Sequence, residues 1–174
     1  NEKLIVRARI PHASRAVLQT TSADANVSGR LEKLEARTMS GDLTIAAEVE
    51  RDAVVKTVSG DVRFQSQIGG DLQAQTVSGD LYATRINGSL SVKSVSGDVR
   101  IDAVREGKAT LQSVSGDITL GVERGTTVDV DANSVSGDLA SDFDIGDDPG
   151  HGEPGPTLVV RGKTVSGDFR LTRA

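Results

Sequence analysis

The chain has 174 residues, of which 36% are hydrophobic and 26% charged, enough for one domain with a continuous core and well above the size at which disulfides or metals become necessary. It contains no cysteine, which excludes a disulfide framework, thiol catalysis and Cys-ligated zinc or iron–sulfur sites. Its net charge is −5, its 20 basic residues are scattered singly and aromatics make up 2%, so neither a basic stripe nor a stacking platform is expected, which argues against nucleic acid or an anionic membrane as partner.

Residues 1–21 read as entry strands, starting with the strand-like run from Leu4 to Ile10. The opening Asn1-Glu2-Lys3-Leu4 has neither the charged n-region nor the apolar h-region of a signal peptide. A start without Met, directly at a strand, leads us to expect an upstream segment outside this sequence, which leaves the compartment open between cytoplasm and envelope. No apolar run approaches the roughly 20 residues of a membrane span.

Residues 22–140 carry the signal that decides the fold, a tetrapeptide Val-Ser-Gly-Asp or a near variant that returns along the chain. A degenerate Ser22-Ala23-Asp24 is followed by Ser40-Gly41-Asp42, Ser59-Gly60-Asp61, Ser78-Gly79-Asp80, Ser96-Gly97-Asp98, Ser115-Gly116-Asp117, Ser136-Gly137-Asp138 and Ser166-Gly167-Asp168. The intervals between successive serines are 18, 19, 19, 18, 19, 21 and 30 residues, a period near 19 with one real insertion. A weaker half-repeat lies nine or ten residues on, as in Ile68-Gly69-Gly70-Asp71-Leu72 and Ile86-Asn87-Gly88-Ser89-Leu90. Within each half, apolar residues take the first, fifth and seventh places, as in Val58, Val62 and Phe64, and the last two alternate with period two as inward residues of a short strand do.

Glycines at roughly nine-residue spacing along much of the chain, each costing about 1 kcal/mol inside a helix, exclude a helical reading. Antiparallel hairpins would give short strands but no reason for one tetrapeptide to return at a fixed place. The pattern predicts an all-β, single-domain parallel β-helix, or β-solenoid, of about eight coils, right-handed because parallel crossovers are. Equivalent residues then stack one strand spacing apart, roughly 4.8 Å.

The recurring Ser-Gly-Asp is expected to be structural, with glycine at a corner that needs positive φ or close backbone approach and Ser and Asp facing turn amides. Stacked Asp42, Asp61, Asp80, Asp98, Asp117 and Asp138 repel by about 1 kcal/mol per hydrated neighbour pair, so amides or cations must offset them. A calcium-binding β-roll is the sharper alternative, but its nonapeptide needs further glycines and aspartates that Gly88-Ser89 and Gly107-Lys108 lack. A column of hydroxyls two places before each motif serine, namely Thr38, Thr57, Thr76, Ser94, Ser113, Ser134 and Thr164, is expected to point outward as a polar ladder, which could bind a glycan or a partner surface but reads more plainly as a well-solvated β face.

Residues 141–156 form an acidic Gly/Pro insertion before the last coil, 157–174. Asp142, Asp144, Asp147 and Asp148 are weak calcium candidates, spaced as in a calcium loop but without the distant bidentate Glu, and a solvated acidic loop is the plainer reading. His12 and His151 belong to no nucleophile elbow or metal motif, so neither catalysis nor a cofactor is expected.

The Thr-Val-Ser-Gly-Asp-Val series from Ser22 onward, with Gly125-Thr126-Thr127-Val128-Asp129-Val130 and the closing Thr164-Val165-Ser166-Gly167-Asp168, resembles the bacterial DUF4097 putative-adhesin β-strand-repeat family, in particular its actinobacterial members. The resemblance implies a β-solenoid with a non-enzymatic, adhesin-like role, in relatives linked to the envelope and to stress signalling, and it transfers no site residue. Three functions follow as expectations. The first is a scaffold that contacts a protein or envelope component through its regular face or acidic insertion. The second is a bactofilin-like structural polymer that self-associates through coil ends, since Asp168-Phe169-Arg170-Leu171-Thr172-Arg173-Ala174 leaves little sequence for a cap. The third is a calcium-dependent module.

Overall fold

A computed structural model describes residues 11–142 and 155–174. The first three coils comprise β1 (Ser14–Ser22), β2 (Ala25–Val27), β3 (Arg30–Ser40), β4 (Leu43–Ile45), β5 (Glu48–Val49), β6 (Ala53–Ser59) and β7 (Val62–Phe64). The next three hold β8 (Leu72–Ser78), β9 (Leu81–Ile86), β10 (Leu90–Ser96), β11 (Val99–Val104), β12 (Gly107–Ser115) and β13 (Ile118–Val122). The chain ends with β14 (Thr127–Ser136), β15 (Leu139–Ser141), β16 (Thr157–Ser166) and β17 (Phe169–Arg173). All pairings are parallel, and the described residues contain no helix.

Each coil lays one strand in each of two sheets and turns between them at the Ser-Gly-Asp corner. Eight rungs result, as the 19-residue period predicts. Period two sends Leu72 and Ala74, or Leu90 and Val92, inward from the first sheet, where they meet Leu81, Ala83, Val99 and Ile101 from the second. A third short run carries Val49, Ile68 and Ile86, joined by single bridges. These strands are too short to stand alone, and the one apolar core exists only by stacking.

The corner requires glycine for two reasons. Gly116 has φ +122°, and a Cβ there would sit 2.4 Å from the carbonyl oxygen of Gly97 on the adjacent rung. Ser-Gly-Asp thus keeps two backbones in contact at each step.

Spatial order departs from chain order at the end of the rod. The first sheet runs β1-β3-β6-β8-β10-β12-β16-β14, so the coil expected to be last, 157–174, lies between its two predecessors. Lys163 is the Cα partner of Gln112 on one side and of Asn133 on the other. Among the described residues the rod end is therefore not the Asp168–Ala174 segment but coil 127–141, whose outward residues Asp129 and Asp131 charge β14, the last strand of its sheet.

Side-chain size explains the exchange. Leu158, Val160, Phe169 and Leu171 are buried by neighbours above and below, and the Phe169 ring occupies the space that a Cβ on Gly162 would need. Coil 127–141 sets Val128, Val130, Leu139 and Ser141 opposite these four, a smaller set overall, and leaves Val130 and Leu139 exposed. The 21-residue interval supplies the two residues beyond the usual 19 with which the chain passes over a rung at Glu123-Arg124-Gly125-Thr126, closed by the Thr126 amide donating to the Glu123 carbonyl at 3.3 Å. The returning strand enters where the Thr127 amide donates to the Pro156 carbonyl at 2.9 Å.

Candidate interaction face

The predicted turn residues Ser40-Gly41-Asp42 through Ser166-Gly167-Asp168 form one corner column. Its aspartates interlock. The amide of Asp61 donates to Asp42 Oδ1 and that of Asp80 to Asp61 Oδ1, both at 3.0 Å, and the series continues through Asp98 and Asp117 to Asp168 and then Asp138. Backbone amides therefore supply the compensation that stacked carboxylates need. A shorter ladder marks the second corner, where Ser89 donates its amide to Asp71 Oδ1 at 2.8 Å and Lys108 donates its amide to Ser89 Oγ at 3.2 Å.

The hydroxyl column corrects one expectation. Thr57 is 5% exposed, and Thr38, Thr76, Ser94, Ser113 and Thr164 are equally buried, so the column faces inward and forms no outer polar ladder. Period two continues from Ala53 and Val55 through Thr57 and resets only at the corner. The buried hydroxyls tie strand ends to the turn: Thr38 Oγ1 donates to the Ser40 carbonyl at 3.2 Å and Ser94 Oγ to the Gly97 carbonyl at 3.3 Å. Those of Thr57, Ser113, Ser134 and Thr164 have no hydrogen-bond partner among the described residues.

The same phase turns the first apolar place of the template outward. Val58, assigned above with Val62 and Phe64, is 46% exposed, while those two are buried. Met39, Val58, Val77, Val95, Val114, Val165 and Val135 consequently make an exposed apolar column over seven consecutive rungs. At roughly half exposure apiece they amount to a strip of about 500 Å², at the scale where an apolar patch on a soluble protein marks a contact surface.

A second outward column runs beside it: Arg37, Lys56, Gln75, Lys93, Gln112, Lys163 and Asn133. Between the two columns lies a shallow groove along the rod, lined near one end by Lys56, Val58, Gln75 and Val77 and near the other by Gln112, Val114, Lys163 and Val165. Basic residues scattered along the chain are thus partly aligned in space, contrary to the expectation of no basic stripe. Stacking at a constant offset gathers them, which spacing along the sequence alone does not display.

Elsewhere the surface is populated by exposed ion pairs such as Lys33–Asp52 at 3.1 Å and Arg51–Glu32 at 3.3 Å. The hydrogen bond from Lys33 lowers the Asp52 pKa. On the second sheet, Tyr82 donates its hydroxyl to Asp102, and that bond, followed by desolvation, raises the tyrosine pKa.

Of the calcium candidates, Asp142 donates its amide to the Leu171 carbonyl at 3.0 Å, whereas Asp144, Asp147 and Asp148 lie outside the described residues, as does His151. His12 is exposed at the start of the described chain. No helix among the described residues is long and apolar enough to cross a membrane.

Comparison with curated proteins returns no match, and comparison with solved structures returns none either. Comparison with protein-family models does, over residues 9–127 and again over 86–172, two overlapping placements of the kind a short repeat permits. Together they span nearly the whole rod, and the chain belongs to the DUF4097 (Toastrack) family.

Proposed function

We propose that the protein is a non-enzymatic interaction scaffold, adhesin-like in that a rigid rod presents one face to a protein or envelope component. The observation that carries this reading is the uninterrupted exposed column from Met39 to Val135, flanked by its basic and amide column. The core does not use these side chains, and seven successive rungs repeat an exposed apolar residue where a polar one would serve the corner equally well. Rigidity supports the same role, because a stacked parallel core fixes the spacing of every outward residue.

The test is proximity labelling in the native cell, comparing the unaltered protein with a variant carrying Val77→Asn and Val95→Asn. Both positions are outward, so the variant retains the fold. Loss of the labelled neighbours is expected. An unchanged neighbour set would remove this face from the function.

A further inference from the structure

Lys56, Lys93 and Lys163 stand in one line, on rungs three, five and seven, with Gln75 and Gln112 on the rungs between. This alternation depends on the intercalated coil, since in chain order Asn133, not Lys163, would follow Gln112. None of the three lysines makes an ion pair among the described residues, whereas Arg37 on rung two is held by Glu35 at 3.2 Å. The line opposes the sign of a chain whose net charge is −5. It borders the same groove as the valine column.

An apolar strip with free cations along one side complements a partner with an apolar stripe and acids along one side. We propose that the groove receives an acidic amphipathic α-helix of a partner protein, lying along the rod. The proposal rests on the interaction-face reading above and adds the chemistry of the occupant. Spacing supports a helix: one turn advances about 5.4 Å against a rung of about 4.8 Å, so each turn brings one apolar residue to one valine. Acids seven residues apart are about 10.5 Å apart, against about 9.6 Å between successive lysines. The offset accumulates to about 2 Å from Lys56 to Lys163, within reach of a flexible four-carbon stem. An extended strand repeats each face about every 6.7 Å and falls out of step with both columns.

The probe is a fluorescein-labelled 21-residue peptide with leucine at both core positions of each heptad and glutamate at one flanking position, titrated with the whole chain and read by anisotropy. Controls are a peptide of the same composition with the leucines scrambled and one with glutamate replaced by lysine. Expected is salt-sensitive binding of the first peptide alone, weakened at least ten-fold by Lys93→Glu and by Val95→Ser, with Lys108→Glu at the second corner leaving it unchanged. Equal melting temperatures confirm that the variants are folded. Equal binding of the scrambled peptide, or no binding of the first, would overturn the helix. So would cosedimentation of the rod with phosphatidylglycerol vesicles, dependent on Lys93 and Val95, in place of peptide binding. If labelled neighbours in the cell still depend on Val77 and Val95 while the peptide fails, the face stands and the helix falls; if neither responds, both fall.

Discussion

The amide of Asp168 donates to Oδ1 of Asp117 at 2.9 Å, although 51 residues separate them, and Asp138, nearer in sequence, is one rung further away. This bond places the C-terminal coil inside the rod. Asp117→Ala removes the acceptor and is expected to cost about 1 kcal/mol in urea unfolding, while Asp117→Asn keeps an oxygen there and costs less.

The intercalated order has a direct chemical test, which the absence of native cysteine makes clean. Gln112→Cys with Lys163→Cys places two thiols on paired Cα positions and should oxidise readily to an internal disulfide. Gln112→Cys with Asn133→Cys, two rungs apart, should not. The reverse result would restore chain order to the stack.

Glycine substitutions should separate strain from collision. Gly116→Ala combines φ +122° with a Cβ 2.4 Å from a carbonyl oxygen, and a loss of about 3 kcal/mol is expected. Gly125→Ala keeps a positive φ of +83° but meets nothing within 4 Å, and should cost about 1 kcal/mol. Thermal melts of both variants check the difference.

The buried hydroxyls invite the opposite change. Thr57→Val replaces an unpartnered buried Oγ1 with a methyl and should stabilise by about 1 kcal/mol. Ser94 donates to the Gly97 carbonyl, so Ser94→Ala should destabilise. Urea midpoints decide between them.

Tyr82 is the only tyrosine and the chain has no tryptophan, so phenolate absorbance reports one group. Its donation to Asp102 favours the neutral phenol and raises the pKa above 10.0. The midpoint should fall toward 10.0 in Asp102→Asn. Because the folded pKa is raised, the stability linked to this bond is fully present below the unfolded pKa and is lost as pH rises through the folded one.

Much of this architecture is legible in the spacing of Ser-Gly-Asp, because a residue that must stack on its own counterpart has to return at a constant interval. The phase of the strand before each corner is legible too, but from Ala53 and Val55 rather than from Val58. The corner resets the alternation, so Thr57 is inward and Val58 outward, and an outward hydroxyl column is the phase expected when the strand is read without Ala53 and Val55. Coil order is not readable from a repeat whose units all fit one another; the only trace is the 21-residue interval, two residues too long for a single step. The lysine alternation is hidden for the same reason, since it exists only once Lys163 has moved next to Gln112.

The displaced coil also constrains how the protein can be made. Rungs one to six can be laid down in the order in which they leave the ribosome, each on a finished surface. Residues 127–141 emerge next, and among the described residues the strand they pair with, in 157–174, is still to be translated. On this order the first six described rungs are expected to assemble vectorially, and the coils 127–141 and 157–174 to be seated together in one later step.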